Sequence, residues 1–418
     1  MVGQNESVFR VLRRPSLTGG LSGVAALRRL LISISLPLCV VSGNAWALER
    51  RDVSGEREWS SASLQGAAGM GRFSDFWLDQ AQTEVSLLAR RKATFEMELF
   101  GQSMMISRDA GVTVLDTVKS FSESNQNSSS SGAQAAANAL DKVRSVFGKS
   151  LTTQAHSAFV ANRIGRVGIA PYLSAGLDAT IDNVAWPKLD AYAGGYGGVL
   201  CSYAQAIGKD FDVGAALRPG VGGFRSYELD LSLFGSTLKS ASEVSTENPL
   251  DQLKFPVAFY LPLDLAVGWW MGPQTRFHLT SKNTFDAKPL STFIGSPGRL
   301  QNRINLGFSQ DINLDGGKNQ NLLVGGELQD IAGVRGGWNE ILMRTQWAGR
   351  YAVKLPFRDQ TTFAINAGLH SGFPVLSVYL DLFVFKVEYA MSARENGAYP
   401  GQRPNRLHTF STRTQMQF

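Results

Sequence analysis

The last twelve residues, 407 to 418, constrain the fold more than any other stretch. Written as a strand, they put His408, Phe410, Thr412, Thr414, Met416 and Phe418 on one face and Thr409, Ser411, Arg413, Gln415 and Gln417 on the other. Successive side chains of a strand point to opposite faces, so one face is of mixed apolar character and the other uniformly polar. Two structures satisfy that pattern: the edge strand of a soluble sheet, or the wall of a barrel with lipid outside and polar groups inside. The rest of the sequence has to decide between them.

The other end of the chain speaks for export. Arg28 and Arg29 precede the apolar run Leu30 to Val41, which is followed by Gly43, Asn44 and the small-x-small site Ala45-Trp46-Ala47. This pattern reads as a secretory signal peptide cut after Ala47, because a dozen apolar residues are too few to span a bilayer. The basic segment before it is long, which leaves a start later than Met1 open. Cys39 follows Leu38 rather than a small residue, which argues against lipid attachment there. Once the leader is removed Cys201 alone remains, so neither an intrachain disulfide nor a cysteine metal site is expected. Residues 1 to 47 hold five arginines and one acid, leaving 36 basic and 34 acidic residues, so the net +6 partly reflects the leader. No basic patch argues for nucleic acid.

After the leader, no segment offers eighteen uninterrupted apolar residues. The nearest, Phe255 to Met271, contains Pro256, Pro262 and Asp264, which suit the start of a strand near Pro262 better than a spanning helix. An exported chain without such a helix is periplasmic, secreted or a barrel. Ala93, Phe95, Met97 and Leu99 alternate with Thr94, Glu96 and Glu98, a first strand whose two acids call for a wet lumen. Further strands are expected near 154–162, 166–179, 189–206, 211–218, 262–271, 276–284, 301–312, 321–328, 341–355, 361–369, 373–381, 383–392 and 406–418. The total is fourteen, an even number, with short links after even strands and longer ones after odd strands in all but one case. Ile341 to Leu355 shows the clearest alternation, and fifteen residues exceed the usual soluble strand.

Two long insertions interrupt this series, 102–152 and 219–261. In the first, Val114, Val118 and Phe121 form one helical stripe, and Ala136, Leu140, Val143 and Phe147 a second, separated by the serine tract 128–131. Two apolar faces with no strand to cover pack on each other, on the barrel rim, or around a greasy ligand. Under the last alternative Val114, Val118, Phe121, Leu140, Val143 and Phe147 are candidate ligand-capture residues. The glycines Gly194, Gly195, Gly197 and Gly198 have no helix pattern after them, so they mark a bend or a close approach rather than a nucleotide loop.

Ahead of the first strand, Gly66, Gly69 and Gly71 are followed by Phe76, Trp77 and the triplet Asp79-Gln80-Ala81. A glycine-rich start, an aromatic and an Asn-Pro-Ala-like turn resemble the hatch of the long-chain fatty-acid transporter superfamily of outer-membrane barrels, although the proline is missing. The segment 393–405, with Pro400-Gly401-Gln402, is similar to that of conjugative-transfer-type relatives in the same superfamily, as is Gly368-Leu369-His370-Ser371-Gly372. A chain ending on an aromatic residue also resembles bacterial barrels whose last strand is read by the assembly machinery, which implies Phe410, Met416 and Phe418 as an assembly signal. The resemblance covers the two ends of the chain well and the middle poorly.

No chemistry stands out. His156, His278, His370 and His408 lack metal-ligand spacing, no G-x-S-x-G elbow occurs, and paired acids such as Glu96 and Glu98 give no acid/base assignment without geometry. The expectation is therefore an all-β chain without enzymatic activity, cofactor or metal. Its fold class is a transmembrane antiparallel β-barrel of about fourteen strands with an N-terminal hatch and helical extracellular insertions. The domains are a signal peptide, 1–47; a periplasmic or lumenal hatch, 48–92; and the barrel, 93–418. By the resemblance it is a passive outer-membrane channel for a hydrophobic or amphipathic small molecule, both termini periplasmic. The alternatives are a non-transporting barrel that anchors or assembles a surface or secretion complex, and, more remotely, a barrel hydrolase. Expected partners are outer-membrane lipid, the barrel-assembly machinery, and a small hydrophobic ligand or a surface or secretion complex.

Overall fold

The computed structural model describes residues 61–92, 94–107, 150–182, 188–230, 256–285, 288–294, 300–314, 319–331, 341–342, 344–355, 361–395 and 404–417. Among these residues seventeen strands follow one another. The first six are Phe95–Ser107 (β1), Ser150–Ile164 (β2), Val167–Asp182 (β3), Lys188–Ile207 (β4), Phe211–Leu217 (β5) and Gly220–Asp230 (β6). Val257–Tyr260 (β7), Leu263–Met271 (β8), Thr275–Lys282 (β9), Ser291–Ile294 (β10), Arg303–Asn313 (β11) and Gln320–Leu328 (β12) come next. Thr345–Lys354 (β13), Thr361–His370 (β14), Phe373–Leu382 (β15), Phe385–Glu395 (β16) and Pro404–Gln417 (β17) complete the sheet.

The sheet is closed and antiparallel, because β1 pairs with β2 on one side and with β17 on the other. Seventeen strands fill fourteen places in the wall, since three places are held by two strands laid end to end. β4 pairs with both β5 and β6, β7 and β8 continue that pairing, and β9 and β10 do so again. The chain is therefore a closed fourteen-place β-barrel.

Its faces are inverted relative to a soluble protein. On β17 Asn405, Leu407, Thr409, Ser411, Arg413 and Gln415 are buried, while Phe410 is 51% exposed. On β15 and β16 Ser377, Lys386 and Glu388 are buried, and Leu376, Val378, Leu382, Phe385, Val387 and Tyr389 are exposed. A wall that turns its apolar side chains out and its charged ones in is stable only with lipid outside. No helix among the described residues is long and apolar enough to cross a membrane; the strands do the crossing.

Several boundaries differ from the sequence reading. β1 runs on to Ser107 and β2 begins at Ser150, so both ends of the expected insertion 102–152 are wall. The expected loop 219–261 likewise yields β6 and β7, which were missed because the glycines of β6 mask its alternation and β7 is four residues long. Ile341–Leu355 is not one fifteen-residue strand: Ile341, Leu342 and Arg344 are helical and β13 has ten residues. Alternation cannot distinguish such a lead-in from strand, but β3 and β4, with sixteen and twenty residues, supply the length a membrane wall needs.

Three neighbouring wall places are broken at one level. β5 gives way to β6 at Arg218–Pro219, β7 to β8 at Leu261–Pro262, and β9 to β10 across residues 283–290. Each proline removes an N–H from the ladder. The orphaned groups find other partners: Tyr196 Oη donates to the Arg218 carbonyl at 2.5 Å, and the Arg218 amide donates to the Pro262 carbonyl at 2.9 Å. The buried Arg218 guanidinium reaches Asp264 at 3.0 Å and Asn283 at 2.7 Å, tying the three places together.

Candidate functional site: the plugged lumen

Residues 61–92 lie inside the ring of strands. They form a short helix, Ala62–Gly66, a second, Trp77–Thr83, and 3-10 turns at Gly71–Phe73 and Val85–Arg90. Ser61 caps the first helix, accepting a hydrogen bond from the Leu64 amide at 3.2 Å. Asp79, Gln80 and Ala81, expected in a turn, are helical instead; without a proline nothing stops the helix, and Asp79 in its first turn suits the helix dipole.

Ion pairs hold this plug to the wall at six places around the barrel. Asp79 binds Arg413 of β17 at 2.5 Å and accepts from Ser61 and Ser74 at 2.7 and 2.6 Å. Asp75 pairs with Arg350 of β13, and Arg72 with Asp311 of β11 at 2.6 Å. Glu84 pairs with Arg276 of β9, Arg90 with Asp212 of β5 at 2.7 Å, and Arg91 with Glu96 of β1. Glu96 also binds Arg163 of β2 at 2.5 Å. The acids of β1 therefore meet arginines rather than a wet lumen. Glu98 is fully buried, has no hydrogen-bond partner among the described residues, and lies 3.7 Å from Arg413. Burial by itself would raise the Asp75 carboxyl, but the Arg350 guanidinium beside it, helped by Lys386 and Arg91, holds it below its ordinary 3.8.

The contact between plug and wall has a polar side and an apolar side. Leu64, Trp77, Leu78, Ala81, Val85 and Leu88 pack into one cluster with wall residues of β2 to β8, chiefly alanines and Tyr172, Tyr196 and Tyr260. Trp77 presses against the wall where Gly168 leaves room, since a Cβ there would lie 2.6 Å from its ring. The rings of Tyr172 and Tyr196 stack at 5.9 Å, and Tyr260 lies 6.4 Å from both Tyr196 and Phe224. The glycines explain how these rings lie flat on the wall. A Cβ on Gly220 or Gly222 would come within 2.7 Å of the Tyr196 ring, and one on Gly194 within 2.5 Å of Phe224. The glycine run is thus a place of close approach, one of the two readings the sequence left open.

At the end where the hairpins are short, a cavity of about 680 Å³ opens below the plug, lined by Arg72, Asp75, Arg91, Asp311, Arg350 and Lys386 among others. The six candidate capture residues Val114, Val118, Phe121, Leu140, Val143 and Phe147 lie outside the described residues, as do the expected leader and Phe418. Phe410 and Met416 face outward on β17. Of the histidines, His278 is buried against Glu84 and Glu327, His370 meets the Ala68 carbonyl at 3.3 Å, and His408 contacts the Tyr389 hydroxyl on the outer face. Among the described residues no group of His, Cys, Asp and Glu could hold a metal. The arginines that pin the plug were not singled out in the sequence, where each is one basic residue on a polar strand face.

With this geometry in hand, the chain can be set beside known proteins. No protein-family model and no curated protein matches it. Solved structures do. The Ralstonia pickettii toluene transporter TbuX is 10% identical with a TM-score of 0.42, over 86% of this chain and 99% of that one. The Pseudomonas putida toluene transporter TodX is 9% identical with a TM-score of 0.42, over 87% and 99%. The CymD monoaromatic hydrocarbon channel is 8% identical, again at 0.42, over 86% and 97%.

Proposed function

We propose that the chain is a passive outer-membrane channel for a hydrophobic or amphipathic small molecule, with residues 61–92 as its hatch, both termini periplasmic and no enzymatic activity. The observation that carries this reading is the aromatic and alanine-rich patch of inner wall around Tyr172, Tyr196, Tyr260 and Phe224. Leu64, Trp77, Leu78 and Val85 of the plug cover this patch, so a ligand reaches it when the plug moves aside. Apolar ligand sites are concave, largely apolar and set off by a few polar groups, here the tyrosine hydroxyls and the Arg218–Asp264–Asn283 cluster. The charged cavity below the plug is unsuited to holding such a molecule, so the ligand's stay in the lumen is on the tyrosine side.

Toluene is a suitable probe. Intact Gram-negative cells producing the barrel should take it up faster than cells without it, and Tyr172→Gln with Tyr260→Gln should reduce the gain while the folded barrel persists. Uptake no faster than in cells lacking the barrel would sink the channel reading. The second reading, an anchor for a surface or secretion complex, draws on the six ion-pair sites that pin the plug. It would be preferred if removing the plug also left toluene uptake unchanged.

A further inference from the structure

His278 is 3–4% exposed on β9, at the seam between the plug and two wall strands. Its Nε2 lies 3.1 Å from Glu327 of β12, and its Nδ1 lies 3.5 Å from Glu84, the residue that ends the plug helix Trp77–Thr83. The wall is built around the ring: a Cβ on Gly307 of β11 would come 2.4 Å from His278 Cε1. The second Glu327 oxygen accepts from Asn305 of β11 at 3.0 Å. Arg276, two residues earlier on β9, binds Glu84 and Ser86 of the plug and lies 3.9 Å from Asp212 of β5. Arg90 of the plug binds the same Asp212 at 2.7 Å.

The charges facing one another here are therefore three carboxylates, Glu84, Glu327 and Asp212, and two guanidiniums, Arg276 and Arg90. Only an imidazolium at 278 brings them to balance. The geometry says the same thing: both ring nitrogens face carboxylate oxygens, and only the protonated ring donates from both. A neutral ring has one N–H, so one carboxylate is left facing a lone pair in a buried site.

We propose that His278 is a pH-sensitive strut of the plug, which as imidazolium ties Glu84 of the plug to Glu327 of the wall and as neutral imidazole lets one of them go. Histidine is the side chain that ordinarily changes charge between about pH 5 and 8, so the strut makes the plug's hold depend on the pH of the compartment it faces. The inference rests on the plug's position, not on the channel reading, so a barrel that transports nothing leaves it intact.

The test uses the full chain, folded in detergent, and hydrogen exchange of the amides of residues 77–91, normalised at each pH to unfolded-chain rates. Wild-type protection should fall on the order of tenfold between about pH 5.5 and about pH 9, the weight of one charge-assisted hydrogen bond. His278→Gln should show the low protection at both pH values. Glu327→Gln, which removes the surplus carboxylate, should show the high protection at both. Equal wild-type protection at the two pH values would overturn the proposal, as would retention of the wild-type difference in either variant.

Discussion

Arg413→Met is the substitution expected to loosen the plug most. Arg413 is 2% exposed, with its guanidinium carbon 3.7 Å from the centre of the Phe76 ring, bound to Asp79 and 3.7 Å from Glu98, with Glu388 also within electrostatic reach. Removing it leaves three buried carboxylates with no guanidinium between them. Breaking a buried pair in this way costs about 3–5 kcal/mol, against which methionine restores only packing. At a factor of ten per 1.4 kcal/mol, the equilibrium should shift toward the released state of the plug by roughly two to four orders of magnitude. Asp79→Asn should do far less, about 1 kcal/mol. Its amide still accepts from Arg413 and meets the Ser61 and Ser74 hydroxyls, and Arg413 keeps its other two acids. Trypsin cleavage within the plug, at Arg72, Arg90 and Arg91, measures release at neutral pH in detergent, with heat-modifiable migration as the check that the barrel is intact. If the two variants loosen the plug equally, or Asp79→Asn does so more, the reasoning from surplus carboxylate is wrong.

Gly168→Ala should weaken the plug from the opposite side by about 1–3 kcal/mol, because the added methyl meets the buried Trp77 ring, again read by trypsin. Removing residues 48 to 85 should raise permeability to small solutes without abolishing the barrel, since among the described residues no strand precedes Phe95; loss of all folded protein would show the segment to be structural. The Asp75–Arg350 link should respond to acid. A carboxyl held below 3.8 in the fold contributes above its unfolded value and is lost as pH falls through the folded one, so on acidification the loss of this link should raise plug exchange below about pH 4. Val118→Asp with Val143→Asp should abolish toluene uptake if the insertion captures ligand, with the barrel still at the cell surface; full uptake would leave those stripes without that role.

The barrel was legible because lipid inverts the usual burial rule. Thr409, Ser411, Arg413 and Gln415 alternate with Phe410, Thr412, Thr414 and Met416, and no soluble core explains a buried face made of the first set. The breaks were half legible. Pro262 was placed at a strand start, but Pro219 looked like the end of a strand because Gly220, Gly222 and Gly223 leave no side chains to alternate. What makes Gly220 and Gly222 necessary is the Tyr196 ring, about two dozen residues earlier in the chain. The plug's fastenings were not legible at all. Asp79 and Arg413 are separated by 334 positions and Glu84 and Arg276 by 192, so neither pair forms a motif. The helix Trp77–Thr83 was mistaken for a turn because the resemblance supplied a proline position that this chain fills with Gln80.

Three of the plug's hydrogen bonds run to the strands made last. The Ala62 amide donates to Ser411, the Ser63 amide to Glu388, and Asp79 holds Arg413, so the first described residues are seated by the two final strands. Those strands also close the sheet, β16 onto β17 and β17 onto β1. During biogenesis the amino-terminal end of the plug, Ala62 to Asp79, therefore lacks these partners until the carboxy-terminal hairpin has arrived. Contacts of such sequence separation are slow to form. Ring closure and the final seating of the plug are completed together, late in assembly.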